Sequence, residues 1–402
     1  MDAYAFDPGE VRRQKKAGIF KERLRLSGYR TGKTNQLDQK KKGVKKDYEP
    51  KKVVSDPIKV GSDCSGLGTE IFGMDVLGLG HRLDHEFGSE SDETRRRVFQ
   101  WLHPGCKKMY RSCRVQDRKP ASVPRVDLYV AGGDCSSWSK AGKRQGLDDK
   151  CNRGQLMFDI VAYIETKQPK TFILEQVEGM LKGKFLTNFT DMIEHITSIK
   201  HYGERVYHVE FQVLNTSEIC GISQNRSRVY IVGAQKKLMN AESFTWPGKV
   251  PMVRLSAFLV GNTGTLHLPT SWTALRNIST CIDDIIEGGG NVNQMWVIDV
   301  TPSETFGKCY TLEKTPTITK TRANFQGFFL SKYMRMTTTD ELKRLQGFPA
   351  SLPKFHATDN QLRYMLGNAM TLPVLARVMR MVLGAAGFIN TADVPDIFKP
   401  IY

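Results

Sequence analysis

From Ile58 onward, short runs of consecutive apolar residues alternate with stretches of helical periodicity. Residues 126–131 (VDLYVA), 171–174 (TFIL) and 229–232 (VYIV) read as strands covered on both faces. Between the first two, Leu156, Met157, Ile160, Val161 and Ile164 recur at the spacing of one helix face, which predicts a helix over residues 154–166. Residues 92–102 predict another, with acid at its start. Strand–helix–strand order predicts an α/β fold, a mostly parallel, doubly wound sheet with right-handed crossovers.

The rhythm fails between about residues 239 and 305. That stretch holds Gly288-Gly289-Gly290 and scattered Thr and Asn, with no long helix signal. It predicts a smaller, irregular domain, with bounds set here at 239–361. An apolar helical pattern returns over residues 362–388, around Gly367-Asn368. Residues 362–402 therefore join 58–238 in the main domain.

Residues 1–57 follow neither pattern. They carry 16 Lys and Arg against 8 Asp and Glu, densest at Lys40-Lys41-Lys42-Gly43-Val44-Lys45-Lys46. We read a flexible basic arm with a short helix near residues 11–26. Such an arm contacts phosphates, directs nuclear import, or is simply a solvated tail.

Composition narrows the function. Hydrophobic residues make up 40% of the 402 and charged residues 25%, enough to bury a core. No apolar run reaches the ~18 residues of a membrane span, and the N-terminus has no apolar leader core. A net charge of +17 points to a polyanionic partner, with nucleic acid foremost. The eight cysteines show neither C-x-x-C pairs nor zinc spacing. No metal site and no disulfide framework is expected, and a reducing compartment fits.

Four local patterns carry candidate chemistry. Asp63-Cys64-Ser65-Gly66-Leu67-Gly68-Thr69-Glu70 follows an apolar strand and leads into a helix, as in nucleotide-like cofactor sites. Glu90, about 20 residues on, is placed to take ribose hydroxyls. By itself such a turn is as often plain packing. Gly132-Gly133-Asp134-Cys135-Ser136 follows a buried strand, where α/β proteins place ligands, so Cys135 is either a nucleophile or an inert thiol. Glu175, in Ile173-Leu174-Glu175-Gln176-Val177, either protonates a ring or caps a helix. In Gln224-Asn225-Arg226-Ser227-Arg228 the two arginines share a face if the segment is extended. They bind a phosphate or base oxygen, or form surface salt bridges.

Together, and in this order, these patterns resemble the motifs of the cytosine-C5 DNA methyltransferase family. The resemblance covers roughly residues 58–385 and includes Arg344-Leu345-Gln346-Gly347-Phe348-Pro349 and Gly367-Asn368-Ala369. It implies a Rossmann-like class I methyltransferase fold, with the small domain recognising the target. It implies S-adenosylmethionine as cofactor, held by Ser65, Gly66, Leu67, Gly68, Glu90, Asp117, Asn368 and Ala369, with Asp117 contacting the adenine. Cys135 would attack cytosine C6, Glu175 would act protonated at N3, Arg228 would hold the base O2 and Arg226 would support the loop.

Four positions depart from the family pattern. Its Pro-Cys-Gln is Asp134-Cys135-Ser136, its Glu-Asn-Val is Glu175-Gln176-Val177, and an expected aromatic is Cys64. An acid beside a cysteine disfavours the thiolate unless a cation such as Arg226 offsets it. The other cysteines, Cys64, Cys106, Cys113, Cys151, Cys220, Cys281 and Cys309, are assigned to structure.

The resulting expectation is a monomeric enzyme that methylates cytosine in double-stranded DNA after flipping the base out. The alternatives are the same chemistry on transfer RNA, or a nucleic-acid-binding regulator with an impaired site. The Lys-rich arm leans toward a nuclear location, with the cytoplasm as the alternative for a bacterial or viral host.

Overall fold

The computed structural model describes residues 56–114, 117–118, 122–133, 138, 155–238, 244–261, 268–302, 307–324, 327–349, 352, 357–394 and 396. The basic arm before residue 56, with its expected helix, lies outside them, as do Asp134, Cys135 and Ser136.

Seven strands form the central sheet: β1 (Ile58–Asp63), β2 (Leu83–Ser89), β3 (Met109–Tyr110), β4 (Leu128–Gly132), β5 (Thr171–Val177), β6 (Tyr207–Asn215) and β7 (Ser227–Gln235). Their spatial order is β3-β2-β1-β4-β5-β7-β6. The pairs from β3 through β5 are parallel, whereas β7 runs antiparallel to both its neighbours. This is a mostly parallel Rossmann-like sheet with one reversed strand. The expected strand at 229–232 is the middle of β7. Its apolar run marked burial but carried no information about direction.

The pleat sends alternate residues to opposite faces. Leu128, Val130, Ile173 and Val232 join one core cluster, and Tyr129, Ala131, Phe172, Leu174 and Ile231 the other. Helices cover each face. The first cluster takes α1 (Thr69–Val76) and α8 (Leu372–Ala385), and the second takes α3 (Leu156–Lys167) and α4 (Phe185–Ser198). The expected helix at 154–166 is α3. The one at 92–102 is α2 (Glu93–Leu102), where the Asp92 side chain accepts from the Arg95 N–H. An N-cap of this kind fixes where a helix starts.

The stretch read as lacking a long helix contains a 16-residue one, α5 (Trp272–Glu287). Ala274, Ile278, Cys281 and Ile285 are its buried positions. Thr273, Asn277, Ser279, Thr280, Asp283 and Asp284 lie between these positions and hid this stripe, because such residues favour caps and turns. The helix packs on a four-stranded antiparallel sheet, β8 (Trp296–Asp299), β9 (Tyr310–Leu312), β10 (Phe328–Leu330) and β11 (Arg335–Met336). Ile298 and Phe329 of this sheet face α5, while Val297, Phe328 and Leu330 face the main core.

The pattern at 362–388 resolves into two helices. After α6 (Thr339–Leu345) come α7 (Asp359–Asn368) and, after three intervening residues, α8. Gly367 on α7 lies against the backbone of the segment between β9 and β10: an added Cβ would come within 2.5 Å of Lys320 N. Alanine in place of a helix glycine ordinarily stabilises by ~1 kcal/mol. Gly367→Ala should do the reverse and cost about 1–3 kcal/mol through overpacking, measured by urea denaturation.

Candidate active site

A cleft of about 780 Å³ opens at the carboxyl ends of the parallel strands, where open α/β sheets bind ligands. Its first wall is the turn after β1. Gly66 and Gly68 have φ of +53° and +72°, which glycine tolerates best. Beyond Gly66 the space is open, since an added Cβ would meet only the Cys64 carbonyl, at 3.9 Å. The turn is held from below. The Ser65 N–H donates to the Ser89 carbonyl at 2.8 Å, and the Ser65 hydroxyl accepts from the Ser89 N–H at 2.9 Å. Behind it, the His103 ring N–H donates to the Leu67 carbonyl at 2.9 Å. Burial pushes this imidazole below its ordinary range, so it stays neutral.

Glu90 follows β2 and is buried on the same cleft. Its carboxylate accepts from the Asp92 N–H at 3.0 Å and lies 3.1 Å from the Arg95 guanidinium. This open backbone next to a fixed acid fits a nucleoside with a charged tail.

Asp117, by contrast, does not line the cleft. It accepts from the Ser112 hydroxyl at 2.7 Å, and Ser112, Cys113 and Arg114 form the wall there. Cys64 and Cys113, assigned above to structure, both line the cleft. Their thiols hydrogen-bond to each other, and that bond and burial hold Cys64 well above the ordinary thiol range.

Beneath this half lies a buried ion pair that the sequence did not reveal. Arg118 pairs with Asp63, which also accepts from the Tyr129 hydroxyl at 2.6 Å and the Ser89 hydroxyl at 2.5 Å. Its members lie 55 residues apart, so no local motif announces it.

The second half of the cleft is built on β5 and β7. Glu175 is 8% exposed, and its Oε1 lies 3.0 Å from Arg228 Nε and 3.9 Å from an Arg226 nitrogen. The two arginines share this wall, as an extended segment requires. Arg226 also donates to the Ile318 and Ala369 carbonyls, each at 2.8 Å. Asn368 and Ala369 line the cleft beside them. Gln176 donates to the Gly133 carbonyl at 3.3 Å, immediately before the Asp134-Cys135-Ser136 segment. The structure thus brings together Ser65, Gly66, Leu67, Glu90, Glu175, Arg226, Arg228, Asn368 and Ala369 on one cleft, with Gly68 at the end of its turn. It also adds Thr317, Thr319, Lys320, Thr321 and Arg322 from the segment between β9 and β10. That segment has no apolar period and no glycine-rich turn to mark it.

The model of the C-5 cytosine-specific DNA methylase family matches residues 58–383. Type II methyltransferase M.NgoPII of Neisseria gonorrhoeae is 27% identical over 340 residues, covering 80% of this chain and 92% of its own. Type II methyltransferase M.FnuDI of Fusobacterium nucleatum is 29% identical, covering 62% and 74%. Among solved structures, a putative DNA modification methyltransferase encoded within an E. coli prophage is similar in fold. Its TM-score is 0.57 at 16% identity, covering 82% of this chain and 99% of that one.

The buried pair supports the cleft from below. Arg118→Met should strand the Asp63 carboxylate and cost about 3–5 kcal/mol, the usual penalty for an uncompensated buried charge. Chemical denaturation of the purified protein measures this loss.

Proposed function

The chain belongs to the C-5 cytosine-specific DNA methylase family, and from that premise we propose how its cleft performs the reaction. The protein transfers a methyl group from S-adenosylmethionine to C5 of cytosine in DNA. When bound, the cofactor supplies an electrophilic methyl group. The turn at Ser65, Gly66, Leu67 and Gly68, together with Glu90, Asn368 and Ala369, would hold it. Ser112 and Cys113 stand on the cleft wall where the sequence had suggested Asp117.

Cytosine C5 is a poor nucleophile. In this family a cysteine thiolate adds to C6, which makes C5 enamine-like. We assign that attack to Cys135. Electron density pushed onto the ring is met at N3 by Glu175. Arg228 fixes the Glu175 carboxyl group and reaches the base O2. Arg226 keeps this wall in place through its two carbonyl bonds. After methyl transfer a base removes the C5 proton and the Cys135–C6 bond breaks.

Within a duplex, C6 is stacked and out of reach, so the target nucleotide is flipped into the cleft at a cost of a few kcal/mol. Residues 239–361 would grip the flanking DNA and the basic arm the phosphates. The protein acts as a monomer in this reading. Both named relatives are bacterial, which agrees with the cytoplasmic alternative and lends nothing to the nuclear one.

The observation that carries this reading is the meeting of Glu175 with Arg226 and Arg228 in the same cleft as the glycine turn and Glu90. A duplex containing 5-fluorocytosine tests it, because fluorine at C5 leaves no proton to remove and traps the adduct. Wild-type protein with S-adenosylmethionine should give a denaturation-resistant protein–DNA complex, and Cys135→Ala should give none. Glu175→Gln should slow methylation of ordinary duplex roughly 10²–10⁴-fold, the usual contribution of a positioned proton donor. With S-adenosylmethionine labelled in its methyl group, label entering transfer RNA but not DNA would keep the mechanism and replace the substrate. No adduct from folded, cofactor-binding protein would indicate the impaired regulator.

A further inference from the structure

The cleft contains six described acids in its lining, and five of them have a cationic partner. Asp63 pairs with Arg118, Glu90 with Arg95, Asp159 with Arg114, Glu175 with Arg228 and Glu178 with Lys182. Glu70 is the sixth. It is 3% exposed and lies in the first turn of α1, immediately after the glycine turn. Its carboxylate accepts from the Ser62 hydroxyl at 2.6 Å, and Ser62 in turn bonds the Ser65 hydroxyl at 2.7 Å. No described basic side chain pairs with it.

A buried carboxyl group without a cation is costly when ionised. Burial accordingly pushes Glu70 up to about 7. The titratable group that faces it from outside α1 and β1 is Cys106, whose thiol is raised to about 11, chiefly by its own burial and in small part by the Glu70 charge. His103 sits behind Gly68 and is spent on the Leu67 carbonyl.

The turn and the first N–H groups of α1 suit the carboxylate of an amino-acid tail. On S-adenosylmethionine that tail also carries an ammonium group and leads to the sulfonium. We propose that Glu70 is the anionic seat for the cationic end of the cofactor, supplying from the protein the negative charge that faces the ligand's ammonium or sulfonium group. The inference rests on S-adenosylmethionine being the cofactor. It adds a residue to the cofactor-holding set named above, and it explains a buried acid that folding alone disfavours.

Calorimetric binding to Glu70→Gln and to the wild type at pH 6 and pH 8 tests it without turnover. Two probes are used: S-adenosylhomocysteine, which keeps the ammonium alone, and sinefungin, which adds an amine near the sulfonium position. At pH 8 the variant should bind sinefungin at least about tenfold more weakly, as expected when one member of a buried charge pair is removed. Wild-type affinity should rise from pH 6 to pH 8 as Glu70 ionises, and the variant should lose that rise. An equal loss for both probes places the ammonium at Glu70, and a loss for sinefungin alone places the sulfonium there.

Thermal unfolding without ligand gives a second readout. The folded-state value of Glu70 lies above its ordinary 4.5. Its ionisation therefore costs nothing at low pH, and removes stability as pH rises from about 4.5 through about 7. Glu70→Gln should raise the melting temperature at pH 8, with the difference shrinking toward pH 5. A residue that merely braces the turn would instead lower it. Unchanged affinity in Glu70→Gln, beside normal wild-type binding, would overturn the role of Glu70 alone. A folded wild type that binds neither probe would overturn the cofactor assignment, and this inference with it.

Discussion

One buried guanidinium ties the molecule together. Arg226 lies just before β7, yet its guanidinium donates to Ile318, between β9 and β10, and to Ala369 at the end of α7. Neighbouring Gln224 repeats the arrangement, donating to the Leu345 carbonyl at 2.7 Å and accepting from the Ile318 N–H at 3.1 Å. Three stretches that are far apart in sequence are thereby fixed at one point. A planar fork with several donors suits this task better than a lysine ammonium, whose single point charge cannot aim at two carbonyls at once. This wall of the cleft inherits its rigidity from the junction, because Arg228 and Glu175 stand next to it.

The two halves of the cleft differ in electrostatic design. Around Glu175 an acid is surrounded by fixed cations, so charge that shifts during chemistry meets partners already in place. Around the glycine turn the fixed groups are mostly backbone and hydroxyls. There the serines, His103 and the Arg118–Asp63 pair orient a loop that itself carries no net charge. This division suits a reaction whose donor brings its own positive charge and whose acceptor ring does not.

Much of this was legible in the sequence, though unevenly. Strand runs such as TFIL and the helix stripe of α3 come from burial on fixed periods, which any sequence displays. The glycine turn, Glu90, Glu175 and the Arg226/Arg228 pair were legible because each depends on residue type at short spacing. The direction of β7 was not, since a strand buried on both faces reads the same either way. Helix α5 was hidden by its polar face. Asp117 stands off the cleft lining, because an acid in a loop matches a motif without revealing where the loop points. The Asp63–Arg118 pair and the charge isolation of Glu70 arise only after folding, from residues that chance to meet across strands.

The reversal of β7 has a consequence for how such proteins diversify. Because it runs against β5, its first residues stand at the catalytic edge, with Arg228 opposite Val177. Its last, Gln235, ends at the far edge, with its N–H on the Lys170 carbonyl. The chain then leaves the sheet and returns where Thr315 and Pro316 pair with Gln224 and Asn225. Between them the chain makes an excursion that is pinned at both ends and anchored by Phe244, Leu255 and Val297, which pack into the main core. On the reading proposed above, the parts of that interval outside the core are where sequence can change, and target preference with it, while both walls of the cleft keep their anchors.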